Sequence, residues 1–322
     1  MFVPFISTRS TSAKDSKRLY RRKGGGGGGR GGGGGGVGGG GGGGEFFDTQ
    51  CTRANVGIVV KTLCLPGGRS GSVSTGGSSR SASTYNRGGG SASTIPQGQL
   101  FAGRQQGGGT RDQVVGTRTY GSGYPGVAGR GTAGLGFPFY FWPLAWGGVA
   151  GGGGAAYLHN REYGRSDNSS RPGGPMVSAV FVSNSTNQSA FRILADNQTV
   201  VDLIQDIRSN CSSNLGPSSS TSPSSYNDTS DAPPQPEQAV QYFRASSVAL
   251  TLDGYNNSAT FASEGTPDTP LPTNIDNTLL DCLNQTIALA VPLIDGADPR
   301  WAVSNMGFLG LAWVLWSLSS YF

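Results

Sequence analysis

The sequence has very few of the side chains from which most enzyme and metal sites are built. Among its 322 residues there is one histidine, His159, and there are four cysteines, none in a Cys-x-x-Cys pair. One histidine is too few for a histidine-based metal site, and the cysteine spacing fits no zinc motif. A catalytic triad would need a serine and an acid placed around that histidine, and no motif identifies them. We therefore expect a protein that is not an enzyme and that has no metal and no cofactor.

Paired acids are the remaining route to catalysis. Asp202 and Asp206 lie four residues apart, on one face of a predicted helix. A glycosidase needs two acids that face each other across a cleft, so we interpret this pair as a solvated helix face. A hydrolase of wall glycans with an unidentified site stays as one alternative function.

Charge is scarce and unevenly spread along the chain. Residues 1–133 carry 17 lysines and arginines against 4 acids, whereas residues 134–322 carry 7 against 15. Such an asymmetry is typical of a basic tail on an ordinary domain. Glycine dominates the basic half, with 19 in residues 24–44. Because glycine loses the most backbone entropy on folding, residues 1–133 are predicted to be disordered.

Two functions of this basic spacer are open. As a solvated linker it would bind anionic cell-wall or matrix polymers electrostatically. Arginine among glycine is also typical of RGG segments that bind RNA. An RGG-like RNA-binding protein with a C-terminal membrane anchor is therefore a second alternative function. No nucleic-acid module accompanies the tract, so no specific nucleic acid is expected.

One segment inside the spacer, residues 45–68, is less rich in glycine. It contains Cys51 and Cys64 around an apolar stretch. Two interpretations are open: a small hairpin closed by a Cys51–Cys64 disulfide, or non-coding sequence that has been read through.

The strongest functional signal is the density of N-glycosylation sequons. Eight of the 12 asparagines in residues 168–284 begin an Asn-x-Ser/Thr triplet. From the Ser/Thr content of this window chance predicts about three or four. The eight are Asn168, Asn184, Asn187, Asn197, Asn210, Asn227, Asn256 and Asn284. They predict a glycoprotein made in a secretory lumen. The loop 213–237, rich in Ser, Thr and Pro, is predicted to be disordered and O-glycosylated.

Cysteine usage agrees with export. Cys211 and Cys282 are the only cysteines in residues 134–322, and in an oxidising compartment they would pair with each other. The closed loop of about 70 residues would give on the order of 4 kcal/mol in the chain-entropy model.

Residues 161–292 have the pattern of a small α+β domain with the order β-β-α-β-α. Strands are predicted at 176–182, 190–194 and 247–252 from apolar runs and alternation. Helices are predicted at 198–209 and 276–290 from apolar residues at helical spacing, and a short helix is predicted at 238–244. Asp196 and Asn197 are both candidates to cap the first long helix.

An aromatic and glycine-rich segment, residues 134–160, precedes this domain. Six aromatic residues fall within 137–146. We expect their rings to pack onto the domain as an entry segment. A membrane span is the alternative, although Pro138, Pro143 and the glycines that follow oppose a helix.

The C-terminal end matches a GPI-attachment signal. Asp295, Gly296 and Ala297 supply small residues for the attachment site, within a linker over 293–307. Residues 308–322 form an uncharged apolar tail, predicted to be a hydrophobic helix that reaches the membrane. A retained membrane span is the alternative to cleavage. The first six residues, MFVPFI, are shorter than a signal-peptide core, so no signal peptide is evident.

The stretch RASSVALTLDGYNNSA (244–259), with PEQAVQY, TPLPTNID and LLDCLNQTI, resembles a set of surface proteins of basidiomycete fungi. The resemblance covers about residues 120–295 and implies a secreted protein with no activity attached. The leading hypothesis is a non-enzymatic glycoprotein with a structural or adhesive role. It would be tethered at the extracellular face of the plasma membrane or in the cell wall.

Overall fold

The structure, a computed structural model, describes residues 50–53, 62–65, 69–75, 78–127, 129–147, 155–158 and 161–295. These residues belong to one compact unit. The glycine tract of residues 24–44, His159 and the predicted C-terminal helix at 308–322 lie outside the described residues.

Six short strands form antiparallel hairpins in the N-terminal part of the described chain. They are β1 (Gln50–Arg53), β2 (Thr62–Leu65), β3 (Ser70–Thr75), β4 (Ser78–Ser83), β5 (Ser93–Thr94) and β6 (Gln105–Gln106). β1 pairs with β2, β3 with β4 and β5 with β6. The register of the first hairpin places Cys51 opposite Cys64, so the strands of the predicted hairpin are present. The disulfide between these two cysteines stays a prediction.

The C-terminal part is built around a five-stranded antiparallel sheet. Its elements are β7 (Met176–Val182), β8 (Ala190–Asp196), α1 (Asn197–Asn210), β9 (Ser224–Ser225), β10 (Ala239–Phe243), β11 (Val248–Leu252), α2 (Asn277–Ala290) and β12 (Leu293–Ile294). The strand order in the sheet is β10-β11-β8-β7-β9. β12 lies elsewhere, paired with β4 at the edge of the β3–β4 hairpin. Short 3₁₀ helices lie at Arg111–Gln113, Arg161–Tyr163, Ser212–Asn214, Pro236–Gln238 and Ser258–Phe261.

The α+β class and most of the predicted elements are confirmed. β7, β8, α1, β11 and α2 lie where the sequence predicts them, to within two residues at each end. The short helix predicted at 238–244 is wrong, because these residues form β10. Ala239, Val240, Tyr242 and Phe243 are all buried there, on both faces of the sheet, whereas a short surface helix would bury one side only.

Each face of the central sheet is covered by a different part of the chain. On one face, Phe191 and Leu250 share a core cluster with Leu203 of α1 and Leu283 of α2. Neighbouring side chains along a strand point to opposite faces. On the second face the strands contribute Met176, Leu194, Tyr242 and Ala249, and the covering segment contributes Tyr120, Leu144 and Trp146. The sheet is therefore buried on both sides, and residues before 160 supply the second cover.

The aromatic segment, residues 137–146, contributes to the apolar clusters on both faces of the sheet. Phe139, Tyr140 and Phe141 belong to the cluster that contains the helices. Leu144, Ala145 and Trp146 belong to the cluster on the second face. Phe137, Phe139, Tyr140, Phe141 and Trp146 are each at most 4% exposed. The Trp146 ring lies edge-on to the Tyr242 ring of β10, with 6.4 Å between centroids. The segment forms no helix. The rings of this segment are therefore packed within the fold, and residues 148–154 lie outside the described part.

The prediction that residues 1–133 are disordered is wrong for the described stretches from residue 69 onwards. Val73, Val114 and Tyr120 are at most 2% exposed. Glycine allows close approach here, because a Cβ at Gly109 would lie 2.5 Å from the Phe139 ring. Glycine loses much backbone entropy on folding, which opposes an ordered state. Burial of apolar and aromatic side chains offsets this entropy cost in the described residues.

The loop 213–237, predicted to be disordered, is also ordered in the fold. It contains β9, which pairs with β7 at the edge of the sheet. The Ser219 and Ser220 hydroxyls accept hydrogen bonds from the Val182 and Val180 N–H groups at 3.0 and 2.9 Å. Serine hydroxyls thus accept hydrogen bonds at the sheet edge beyond the end of the backbone ladder. The amino-acid composition of the loop does not predict these bonds.

Arginine side chains hold the N-terminal loops to the C-terminal part. Irregular loops lack the ladder of regular structure, so their carbonyls need other donors, and a guanidinium offers five N–H groups. The carbonyl acceptors are those of Thr84, Asn86 and Val291 for Arg111, and those of Ala259 and Ala262 for Arg130. Burial and, to a smaller extent, the nearby charge of Arg244 lower the pKa of Arg111 to about 9.

Arg244 lies at the centre of the fold with no exposed surface. Its guanidinium pairs with Asp196 and donates to the Pro292 carbonyl at 2.8 Å. The same group lies 3.5 Å from the centroid of the Phe141 ring. Arg244 begins the β10–β11 turn, in which residues 244–246 all have left-handed backbone angles without a glycine. Such a turn costs roughly 1–3 kcal/mol per residue and persists because the surrounding contacts fix it.

We expect Arg244→Met to lower the free energy of unfolding by about 3–5 kcal/mol, because Asp196 becomes a buried, unpaired carboxylate. Adding Asp196→Asn should recover part of this loss. Arg165→Met is the matched control, since Arg165 and Asp167 form an ion pair whose side chains are 75% and 68% exposed. The control should change stability by less than about 1 kcal/mol. Urea denaturation measures both, and equal losses would contradict the central role of Arg244.

Candidate glycosylation surface

The eight sequon asparagines all reach the surface of the folded chain. Five are exposed, namely Asn184, Asn187, Asn197, Asn227 and Asn256. Three are partly exposed, namely Asn168, Asn210 and Asn284. A glycan is bulky and hydrophilic, so it requires an asparagine outside the core. Every sequon asparagine is at least partly exposed as a residue. The sites differ in whether the individual side-chain atoms are exposed.

Local structure explains why some of these side chains stay outside. Asp196 caps α1, and its carboxylate accepts from the Thr199 N–H at 3.0 Å and from the Thr199 hydroxyl at 2.8 Å. Of the two candidates for this cap, Asp196 is therefore the one used. The side chain of Asn197, the first residue of α1, is left exposed.

Two sequons close on themselves as turns. The Asn168 Oδ1 atom accepts from the Ser170 N–H at 2.9 Å. The Asn227 Oδ1 atom accepts from the Thr229 N–H at 3.0 Å and from its hydroxyl at 2.7 Å. In both, the oxygen of the amide is engaged by the third residue of the sequon. The Nδ2 atom, which carries an N-linked glycan, is not the atom used in these bonds.

Asn210 and Asn284 differ from the other six sites. The Nδ2 atom of Asn210 and the Oδ1 atom of Asn284 are buried without a hydrogen-bond partner in the described structure. Both residues lie beside the cysteines that close the disulfide, Asn210 next to Cys211 and Asn284 two residues after Cys282. The folded chain therefore does not present the reactive nitrogen of Asn210 to solvent.

Asn256 and Asn257 are neighbours with opposite roles. Asn256 begins a sequon and is exposed, whereas Asn257 begins none and is 2% exposed. The Asn257 side chain donates to Asp268 at 2.7 Å and accepts from the Thr269 N–H at 2.9 Å. The buried asparagine is structural, and the one beside it is available for modification.

This pair gives a stability prediction. Asn257→Ala should lower the free energy of unfolding by about 1–3 kcal/mol, because it leaves buried hydrogen-bonding groups unpaired. Asn256→Ala is the matched control and should stay within about 0.5 kcal/mol. Chemical denaturation of enzymatically deglycosylated protein measures the folding effect alone. A larger loss for Asn256→Ala than for Asn257→Ala would contradict the assignment.

The predicted disulfide between Cys211 and Cys282 is confirmed. Cys211 lies at the end of α1 and Cys282 within α2, with 5.9 Å between their Cα atoms. The bond closes a loop with a sequence separation of 71 residues. It fastens the two helices that cover one face of the sheet.

The interpretation of Asp202 and Asp206 as a solvated helix face is wrong for Asp206, which is 1% exposed. Arg69, 137 residues earlier, lies between the acids: it donates to Asp206 Oδ1 at 2.9 Å and to the Asp202 carbonyl at 3.2 Å. Burial raises the pKa of Asp206, Arg69 lowers it and Asp202 raises it, and the net result is a pKa of about 6. Asp206 therefore packs against Arg69, the residue before β3. It does not face a second acid across an open cleft.

The raised pKa of Asp206 predicts a pH-dependent stability. Its ordinary pKa is 3.8, so the folded chain holds the proton more tightly than the unfolded chain does. The stabilisation from this group is complete below about pH 4 and is lost as pH rises through about 6. Two pKa units correspond to on the order of 2–3 kcal/mol.

Asp206→Asn should therefore flatten the fall in stability between about pH 4 and pH 7. Thermal denaturation at four pH values across this range measures the profile. Asp167→Asn removes an exposed carboxylate and is the matched control for charge loss. The same fall in Asp206→Asn as in the parent protein would contradict the role of Asp206.

The candidate GPI site begins where the fold ends. β12 is buried, so the predicted linker over 293–307 starts inside the structure. The N–H of Asp295 donates to the Ser81 carbonyl at 2.8 Å, and Gly296 and Ala297 lie outside the described residues. In the described part of the chain, no helix has the length and apolar character needed to cross a membrane.

Within the ranges that the structure describes, no group of three His, Cys, Asp or Glu side chains is placed to hold a metal ion. Comparisons with protein-family models, curated proteins and solved structures found no match.

Proposed function

We propose that this protein is a non-enzymatic glycoprotein of the cell surface or cell wall, with a structural or adhesive role. The observation that carries the proposal is the placement of the sequons. Of the eight asparagines that begin a sequon, five are exposed and three are partly exposed, while the buried, structural Asn257 begins no sequon. The Cys211–Cys282 disulfide supports synthesis in an oxidising compartment.

The fold also bears on how the protein is held at the surface. Since Asp295 follows β12 directly, a GPI anchor near Asp295 would place the folded domain immediately against the membrane. The resemblance of residues 244–259 to basidiomycete surface proteins agrees with this location.

The alternative of an RGG-like RNA-binding protein loses support from the arginine contacts. Arg69, Arg104, Arg111, Arg118 and Arg130 all come from the predicted basic spacer. They contact carboxylates or carbonyls of this same chain. These five side chains are engaged within the fold, so fewer of the spacer's arginines remain for a polyanion of either kind, RNA or wall polymer.

The proposal predicts that the secreted full-length protein gains electrophoretic mobility after digestion with an N-glycosidase. Asn184→Gln and Asn256→Gln should each remove one glycan, because both asparagines are exposed. Asn274→Gln is the matched control, since Asn274 is exposed but begins no sequon. Peptide mass spectrometry should find Asn210 unmodified. Unchanged mobility of the parent protein after digestion would overturn the proposal.

A second experiment tests the tether separately. Treatment of intact cells with a phosphatidylinositol-specific phospholipase should release the protein into the medium if the tail is exchanged for a GPI anchor. Retention on the cells, together with a normal glycosidase shift, would replace the GPI anchor by a retained span while leaving the glycoprotein assignment in place.

A further inference from the structure

A cleft of about 410 Å³ opens among the end of β3, the turn that contains Phe101, and the aromatic segment. None of the sequons begins in its lining, although Ser170, the last residue of the Asn168 sequon, lines it. The cleft is formed largely by residues that the sequence alone assigns to a disordered spacer.

The floor of the cleft is aromatic. The Phe101 ring lies 5.1 Å from the Phe137 ring and 4.9 Å from the Trp142 ring, the second pair edge-to-face. Phe101 and Trp142 are only partly buried, and the neighbouring Leu100 is 62% exposed. The apolar surface open to an occupant therefore comes from Leu100 and from the partly buried Phe101 and Trp142 rings, and it is larger than an isolated exposed side chain offers.

The remaining lining is polar except for Ile95 and Gly98, and it carries no charged side chain. The side chains of Ser74, Gln99 and Ser170 make no hydrogen bond to the described residues, and each offers a donor and an acceptor. The Thr75 hydroxyl has no partner there either, although this residue is 8% exposed. Arg104 stacks on the Phe101 ring, but its charge is paired with Glu162.

Backbone strain is a separate observation at the same place. Phe101 and Tyr140, both in the lining, have φ angles of 64° and 68°, a region that non-glycine residues rarely adopt. Such strain costs on the order of 1–3 kcal/mol per residue and clusters at ligand-binding sites. Here it orients two aromatic side chains around one cleft.

We propose that this cleft binds a neutral polysaccharide of β-linked pyranose units. Such sugars have apolar C–H faces that stack on aromatic rings, and hydroxyls that pair with serine and glutamine side chains. A charged polymer would leave its charge unpaired in this lining. The proposal rests on the proposed surface location, and it supplies a ligand class for the adhesive role.

Affinity electrophoresis of the secreted full-length protein tests this site. A soluble β-1,3-glucan in the gel should retard the protein, whereas an α-mannan, with its axial hydroxyls, should not. Gln99→Ala combined with Leu100→Ala should weaken retardation by about tenfold, which corresponds to one lost hydrogen bond and part of the apolar contact. Both residues lie at the surface, and a thermal melt checks that the variant is folded.

Phe261→Ala is the matched control, because Phe261 is 37% exposed and does not line the cleft. It should be retarded like the parent protein. Absence of retardation by the glucan, or the same weakening in Phe261→Ala, would overturn the proposal. Retardation that emerges only in Asn168→Gln would also overturn it, because the glycan of this chain would then be the occupant.

The glucan result and the glycosidase result are independent of each other. A glycosidase shift without glucan retardation overturns the polysaccharide site alone. Glucan retardation by a protein whose mobility is unchanged by the glycosidase overturns the glycoprotein assignment alone.

Discussion

The ion pair between Arg244 and Asp196 is the interaction on which the rest of the fold depends. The buried guanidinium contacts several segments of the chain. They are the β10–β11 turn, the start of α1, the residue before β12 and the aromatic segment. A buried charge is tolerated only when its partners are all in place. Each of these segments is therefore required for the others, although they are far apart in the sequence.

The same physical principle extends outward from Arg244. The central sheet has two apolar faces, and the two helices cover only one of them. Glycine-rich loops and the aromatic segment cover the other, and arginines such as Arg111 satisfy carbonyls that no ladder satisfies. The described residues of the basic and acidic halves thus form a single structure. The sequons all come from the acidic half, and the aromatic cleft is formed mostly by the basic half.

Local patterns in the sequence predicted the elements whose stability is largely local. β7, β11, α1 and α2 have clear apolar periodicity, and the Cys211–Cys282 pair followed from the cysteine count. The ordered state of residues 69–133 could not be predicted in this way, because it depends on contacts such as Arg111 to the Val291 carbonyl, 180 residues away. Gly109 counted towards a prediction of disorder, because glycine loses backbone entropy on folding. In the structure, the absence of a Cβ at Gly109 allows the Phe139 ring to pack against it. The sequon positions follow from the sequence, but the burial of the Asn210 Nδ2 atom could not be predicted from it.

The central claim is that the described residues from 69 to 133 are an integral part of the fold. Hydrogen exchange followed by mass spectrometry tests it most directly. The Gly109 and Gly116 N–H groups donate to the Pro138 and Tyr242 carbonyls at 3.0 and 2.9 Å. Peptides covering residues 105–124 should therefore exchange as slowly as peptides from β7 and β8. Exchange of residues 105–124 at the rate of an unstructured peptide, with β7 and β8 protected, would contradict the claim.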